Sequence, residues 1–221
     1  MAEERYIRVT GTGRLHLRPD RIRITMILTG LEEAYDETVG RSSLDMKKLR
    51  KLFVEHGFAP EDLKTTQFDI ETEYERYKKG DTYKERFVGY KYSHDLKIEF
   101  DRDNERLGNI LYALAHSKLK PKFDLEYTIR DTEKAKNELL ANAVEDAKQK
   151  AAILSKAAGV TLKNIHSIDY SWGEVDFVSR PMDRMMLEDC SIMSKPDSYS
   201  FDIEPDDIDL DDTVTVIWTI E

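Results

Sequence analysis

The chain holds 221 residues, with 34 basic and 44 acidic side chains, a formal charge of −10, and 40% hydrophobic against 35% charged residues. That length can bury a sizeable core, and 10% aromatic content separates the chain from a disordered, charge-rich tail. No window reaches the ~20 apolar residues of a membrane helix, the lone Cys190 forbids an internal disulfide, and net acidity disfavours nucleic-acid binding through the whole surface.

Arg5 to Leu17 reads as an extended piece broken at Gly11-Thr12-Gly13, and Pro19-Asp20 reads as a turn. From Asp20 to Leu31, Ile22, Ile24, Met26 and Leu28 alternate with Arg21, Arg23, Thr25 and Thr29, the period of a half-buried strand. Leu44, Leu49, Leu52 and Phe53 then recur at helical spacing until Gly57, which stands where a helix C-terminal glycine is expected. Thr65 to Tyr77 and Tyr83 to Phe100 are expected to form a hairpin with its tip at Lys79-Gly80-Asp81. Asn104 is expected to cap a short helix carrying Leu107, Ile110, Leu111 and Leu114.

Phe123 to Ile129 alternates as a strand. A long helix follows, capped by Asp131 or Thr132 and stopped at Gly159, with a stripe expected along Leu140, Val144, Ala147, Ala151, Leu154 and Ala158. Val160 to Trp172 and Ile208 to Ile220 complete the strands, on either side of an irregular, methionine-rich stretch with Met182, Met185, Met186 and Met193. Hairpins mixed with helices and no βαβ repeat imply an α+β fold, mainly antiparallel, with helices packed on one face of the sheet. A single domain over 1–221 is expected, with a hairpin extension near 65–100 and an insertion near 173–200.

No constellation in the sequence carries a reaction, a cofactor or a metal. Gly11-Thr12-Gly13 is missing the third glycine of a dinucleotide loop, because His16 stands there and a strand follows. His16, His56, His94, His116 and His166 have no zinc spacing, and Cys190 sits among acids that oppose a thiolate. Asp207, Asp209, Asp211 and Asp212 alternate like the start of a calcium loop, yet Asp212 and Trp218 fill the places that need Gly and Glu. A strand with an acidic outer face is the better reading. Arg14, Arg18, Arg21 and Arg23 oppose it in sign, so ion pairs with the last strand are expected, within one copy or between copies.

The hairpin interleaves Tyr74, Tyr77, Tyr83, Phe87, Tyr90 and Tyr92 with Arg76, Lys78, Lys79, Lys84, Arg86 and Lys91. Arg86 to Tyr92 loosely matches an RNA-recognition strand but has no glycine after its basic residue. Cross-strand aromatic pairs also stabilise hairpins without any ligand.

Ile7-Arg8-Val9-Thr10-Gly11-Thr12-Gly13 followed by Pro19-Asp20 resembles the opening of the SIMPL-domain family. Gly57-Phe58 with Glu61 to Thr66, Val88-Gly89-Tyr90, Ala143 to Ala151, Ala157 to Val160 and Val214-Thr215-Val216 resemble its later elements. The resemblance implies a bacterial α+β protein without an established reaction, whose relatives are mostly periplasmic or surface-associated. Some of those are linked to oxidative-stress tolerance or known as immunogens, and some assemble into ring-like or channel-like homo-oligomers. One associates with a signalling kinase in animals. No catalytic residues transfer from the family.

The expectation is therefore a non-enzymatic, self-associating protein, a stress- or envelope-related scaffold. Its interaction residues would be Arg21, Arg23, Tyr90, Lys91, Asp207, Asp209 and Asp211. Exposed extended segments at Arg5–Leu17 and in the hairpin would supply edges for pairing. No cofactor, nucleic acid or membrane span is expected. The start Met-Ala-Glu-Glu-Arg reads as cytoplasmic, with the periplasm or cell surface as the alternative. Two alternatives stand beside this reading: an enzyme using acids such as Asp95, Glu126 or Glu174 in a cleft, and RNA binding by the hairpin.

Overall fold

The computed structural model describes residues 4–79, 81–170, 176–180 and 203–221. Cys190, Glu174 and the four methionines from Met182 to Met193 lie outside the described residues. In chain order the elements are β1 (Arg5–Leu17), β2 (Arg21–Glu32), α1 (Tyr35–Glu55), β3 (Lys64–Lys79), β4 (Thr82–Asp101), α2 (Asn104–His116), β5 (Lys122–Thr128), α3 (Thr132–Ala158), β6 (Leu162–Asp169), the two-residue β7 (Val178–Ser179) and β8 (Ile208–Ile220). The pairings β1–β8, β2–β4, β3–β4 and β6–β8 are antiparallel, so the α+β expectation is met. Backbone proximity divides the chain into two units: Met1–Asp20 with Thr128–Ser179 and Asp206–Glu221, and Arg21–Tyr127 with Arg180–Pro205.

In the first unit, β8 lies between β1 and β6. α3 covers one face of this sheet, where Val9, Val214, Val216 and Trp218 meet Ala143, Ala147 and Ala151. The sequence reading of this helix needs two corrections. Its buried stripe is Ala135, Leu139, Ala143, Ala147, Ala151 and Ser155; of the expected stripe Ala147 and Ala151 are on it, whereas Leu140 and Val144 lie one position beside it and Leu154 is 49% exposed. Nor do Gly11 and Gly13 interrupt β1, which pairs with β8 without a register shift from Arg5 to Leu17. Both glycines are where the helix touches the strand. A Cβ on Gly11 would lie 2.0 Å from the Ala143 carbonyl oxygen, and one on Gly13 would lie 2.0 Å from that of Leu139. The two anomalies share a cause: backbone lies against backbone here, so the smallest side chains take the inner line and larger aliphatics flank it.

The second unit orders its strands β3-β4-β2-β5. Ile22, Ile24, Met26 and Leu28 of β2, with Leu96 and Ile98 of β4, pack on Leu49 and Phe53 of α1 and on Leu107 and Ile110 of α2. Burial of each such side chain contributes about 1.5–3 kcal/mol. α2 is capped by Asp103, whose side chain accepts from the Arg106 N–H at 2.9 Å. The expected cap Asn104 is instead the first helical residue. α1 ends at His56, and Gly57 takes φ +81°. Arg106 closes that end by donating to the Gly57 carbonyl at 2.9 Å and the His56 carbonyl at 3.3 Å. Its guanidinium lies 3.8 Å from the Phe58 ring centre.

Candidate functional site

β2 stops supporting the hairpin at the Glu32–Tyr90 pair. Beyond that pair, Glu73–Lys79 of β3 and Thr82–Gly89 of β4 continue as a ribbon of two strands. Gly89 makes the transition, because a Cβ there would lie 2.2 Å from the Glu32 carbonyl oxygen. Next to it, Glu73 pairs with Gly89 while Tyr74 pairs with Phe87, so Val88 is an extra residue on β4. This bulge explains a glycine that sequence comparison had set beside an RNA-recognition strand.

The ribbon carries a row of rings away from the core. Tyr92 is fully buried and Tyr90 partly so, while Phe87, Tyr74 and Tyr83 are 46%, 56% and 65% exposed. Edge-on contacts link Tyr35 to Tyr90 at 5.4 Å, Tyr90 to Phe87 at 5.3 Å and Phe87 to Tyr74 at 5.8 Å. Its charges nearly cancel. Between Glu73 and Arg86 the basic residues Arg76, Lys78, Lys79, Lys84 and Arg86 face the acids Glu73, Glu75, Asp81 and Glu85. Arg86 is bound to Glu75 at 2.6 and 2.9 Å, which leaves little net positive field for a phosphate backbone.

The sheet edges are treated differently. On β1, Lys150 donates to the Thr10 carbonyl at 3.3 Å, the Thr12 N–H donates to Asp146 at 2.7 Å, and Asn142 donates to the Arg14 carbonyl at 3.4 Å. Three α3 side chains spaced by four thus occupy successive outward groups of the strand. The Asp146 carboxyl is held below the usual carboxylate range by its bonds from Lys150 and from the Thr12 N–H. Arg5–Leu17 is therefore not the open edge that the sequence suggested. A signal for this existed in Asn142, Asp146 and Lys150, each one position before Ala143, Ala147 and Ala151. β6 is short and carries both of its register shifts itself. β3 is different: from Gln67 to Lys79 it is regular, and among the described residues no hydrogen bond reaches its main chain from outside the hairpin.

The basic residues of β2 pair within their own sheet. Arg23 binds Glu99 at 2.7 Å and Glu126 at 3.3 Å, and Arg21 lies 3.8 Å from Glu99. Burial raises the Glu99 carboxyl, but the Arg23 hydrogen bond and charge, with Lys97, bring it below the ordinary range. The expected partners on the last strand bond elsewhere: β8 does pair with β1, setting Arg14 opposite Asp211 and bonding His16 to Asp209. Asp207 stays exposed just before β8, and Lys91 is exposed on β4.

A cleft of about 700 Å³ lies beside α1, lined by residues that include Glu32, Arg41, Asp45, Lys48 and Lys118. Asp45 accepts from the buried Tyr92 hydroxyl and from Lys48, both at 2.9 Å, while Arg41 bridges it to Glu32. Burial alone would raise the Asp45 carboxyl; the Lys48 and Tyr92 bonds and the nearby cations outweigh it and lower it. Tyr92 is raised, first by burial and then by its bond to Asp45. Sequence reasoning missed Asp45, because nothing local distinguishes it from other acids on a charged helix. The acids proposed for catalysis are not gathered here: Asp95 accepts from Ser93 at 3.2 Å, and Glu126 is held by Arg23 and Arg180. Among the described residues no three His, Cys, Asp or Glu side chains converge as a metal site, and no helix is long and apolar enough to cross a membrane.

No curated protein matches the chain. The SIMPL family model, whose description is a protein of unknown function (DUF541), matches residues 7–218, from β1 to β8, and the chain belongs to that family.

Proposed function

We propose that this SIMPL protein works as a non-catalytic, self-associating scaffold, and that the β3–β4 hairpin is the surface through which copies meet. The observation that carries this is the ring row Tyr90–Phe87–Tyr74, with Phe87 and Tyr74 about half exposed, on a ribbon that has no third strand among the described residues. A two-stranded ribbon is marginal in water, and a third strand or a covering surface stabilises it. Aromatic side chains without charge excess are the composition of a protein–protein contact. The cleft beside α1 supports the non-catalytic part, since Asp45, Arg41, Lys48 and Glu32 spend their charge on one another. The stress or envelope role rests on the family resemblance alone.

Sedimentation velocity over a hundredfold range of concentration tests the reading. A mass that rises with concentration is expected, and it should fall back toward one chain in the double variant Tyr74→Ser/Phe87→Ser. A single-chain mass at every concentration would refute it. Binding to RNA at low salt, lost in Lys91→Ala, would favour the nucleic-acid alternative instead.

A further inference from the structure

We infer that two copies join by antiparallel pairing of their β3 edges about a two-fold axis at Glu75, turning two two-stranded ribbons into one of four strands. This rests on the self-association proposed above and adds its geometry. Three observations lead to it. First, β3 ends its sheet and, among the described residues, nothing blocks its edge, whereas α3 side chains occupy β1 and bulges interrupt β6. An unprotected regular edge is a template for another strand. The Val88 bulge does not interfere, because its extra residue lies on β4 and leaves β3 regular from Gln67 onward.

Second, the charges of β3 are ordered along the strand. Asp69, Glu71, Glu73 and Glu75 come first, and Arg76, Lys78 and Lys79 follow. Parallel docking in register would set acids on acids and bases on bases. Antiparallel docking about Glu75 sets Glu71 opposite Lys79 of the other copy and Tyr74 opposite its Arg76. Opposite charges and cation–π pairs across strands are favourable. The one like-charge meeting, Glu75 with its symmetry mate, is offset because each Glu75 already binds its own Arg86 at 2.6 Å. Third, an axis perpendicular to the sheet keeps both ring rows on the same face, so Tyr74 and Phe87 of each copy merge into one aromatic surface.

The experiment combines hydrogen exchange on the unmodified chain with cross-linking in a Cys190→Ser background. As mass doubles with concentration, the outward β3 amides between Glu71 and Lys79 should slow at least tenfold, while amides of β6 keep their rates. Under mild oxidation Glu75→Cys should form a disulfide dimer, since residues at the axis meet within the about 4.4–6.8 Å that a disulfide spans. Gln67→Cys should remain single, because its two copies would lie about 50 Å apart. A doubled mass with unchanged β3 exchange, or equal cross-linking at both positions, would overturn this geometry while leaving self-association standing. A single-chain mass throughout would overturn both.

Discussion

Substituting Gly11→Ala tests the closest contact in the first unit. The new Cβ would lie 2.0 Å from the Ala143 carbonyl oxygen, 2.4 Å from the Ala147 amide nitrogen and 2.8 Å from the Ala147 Cβ. Two of these atoms are backbone, so no rotamer change relieves the clash. α3 must withdraw by about 1 Å or more, and a gap of that size forfeits roughly a quarter to a half of each dispersion contact along the helix. The withdrawal acts on the whole stripe from Ala135 to Ser155 and pulls Asn142, Asp146 and Lys150 away from the β1 main chain. Overpacking a well-packed core costs about 1–3 kcal/mol, occasionally more. Because backbone is hit on both sides, we expect ~3 kcal/mol or more. Urea unfolding followed by tryptophan fluorescence in a Trp172→Phe background reads it, since the remaining Trp218 belongs to the same buried cluster as Ala143 and Ala147. Thr12→Ala, which leaves the Thr12 N–H bond to Asp146 in place, should cost less than about 1 kcal/mol. A Gly11→Ala loss below about 1 kcal/mol would refute the argument that backbone proximity explains the glycines.

Arg106→Ala should destabilise the second unit by about 1–3 kcal/mol, because it removes the cation from the Phe58 ring and both donors from the end of α1. Arg106→Lys should recover only part of this, as an ammonium does not stack as a guanidinium does; full recovery in thermal denaturation would count against stacking. Tyr92→Phe should cost about 1–3 kcal/mol, since it leaves the buried Asp45 carboxylate one donor short. The Asp45 carboxyl is lowered in the folded state, so its contribution is present above the ordinary carboxylate pKa and disappears as pH falls through the folded value. The stability gap between the natural chain and Asp45→Asn should accordingly shrink below about pH 4; a gap constant from pH 7 to pH 2 would show that Asp45 acts through shape alone.

Periodicity along the chain was enough to locate β2, the hairpin and β8, because in each the alternation is local: Ile22, Ile24, Met26 and Leu28 face one core whatever lies beyond. The helix α3 was equally legible as a helix, capped by Asp131 and ended by Gly159 in the left-handed conformation. Its inward face was legible only in part, at Ala147 and Ala151. Hydrophobicity favours Leu140, Val144 and Leu154, while the space above Gly11 and Gly13 admits only the alanine line, and that space exists only once β1 is folded beneath the helix.

The candidate site divides in the same way. The sequence alone showed a hairpin rich in rings and basic residues, since that is a property of consecutive residues. Tertiary structure decided which edge is open. The main-chain groups of β1 and β3 are chemically identical, and only the approach of Asn142, Asp146 and Lys150 from 128 to 140 residues away occupies one of them. It also decided the partners of Arg21 and Arg23, which sequence reading assigned to the acidic last strand. Their charges were evident from the start, but ion pairs form with what the register brings within a few ångströms, and that register placed Glu99 and Glu126 beside them.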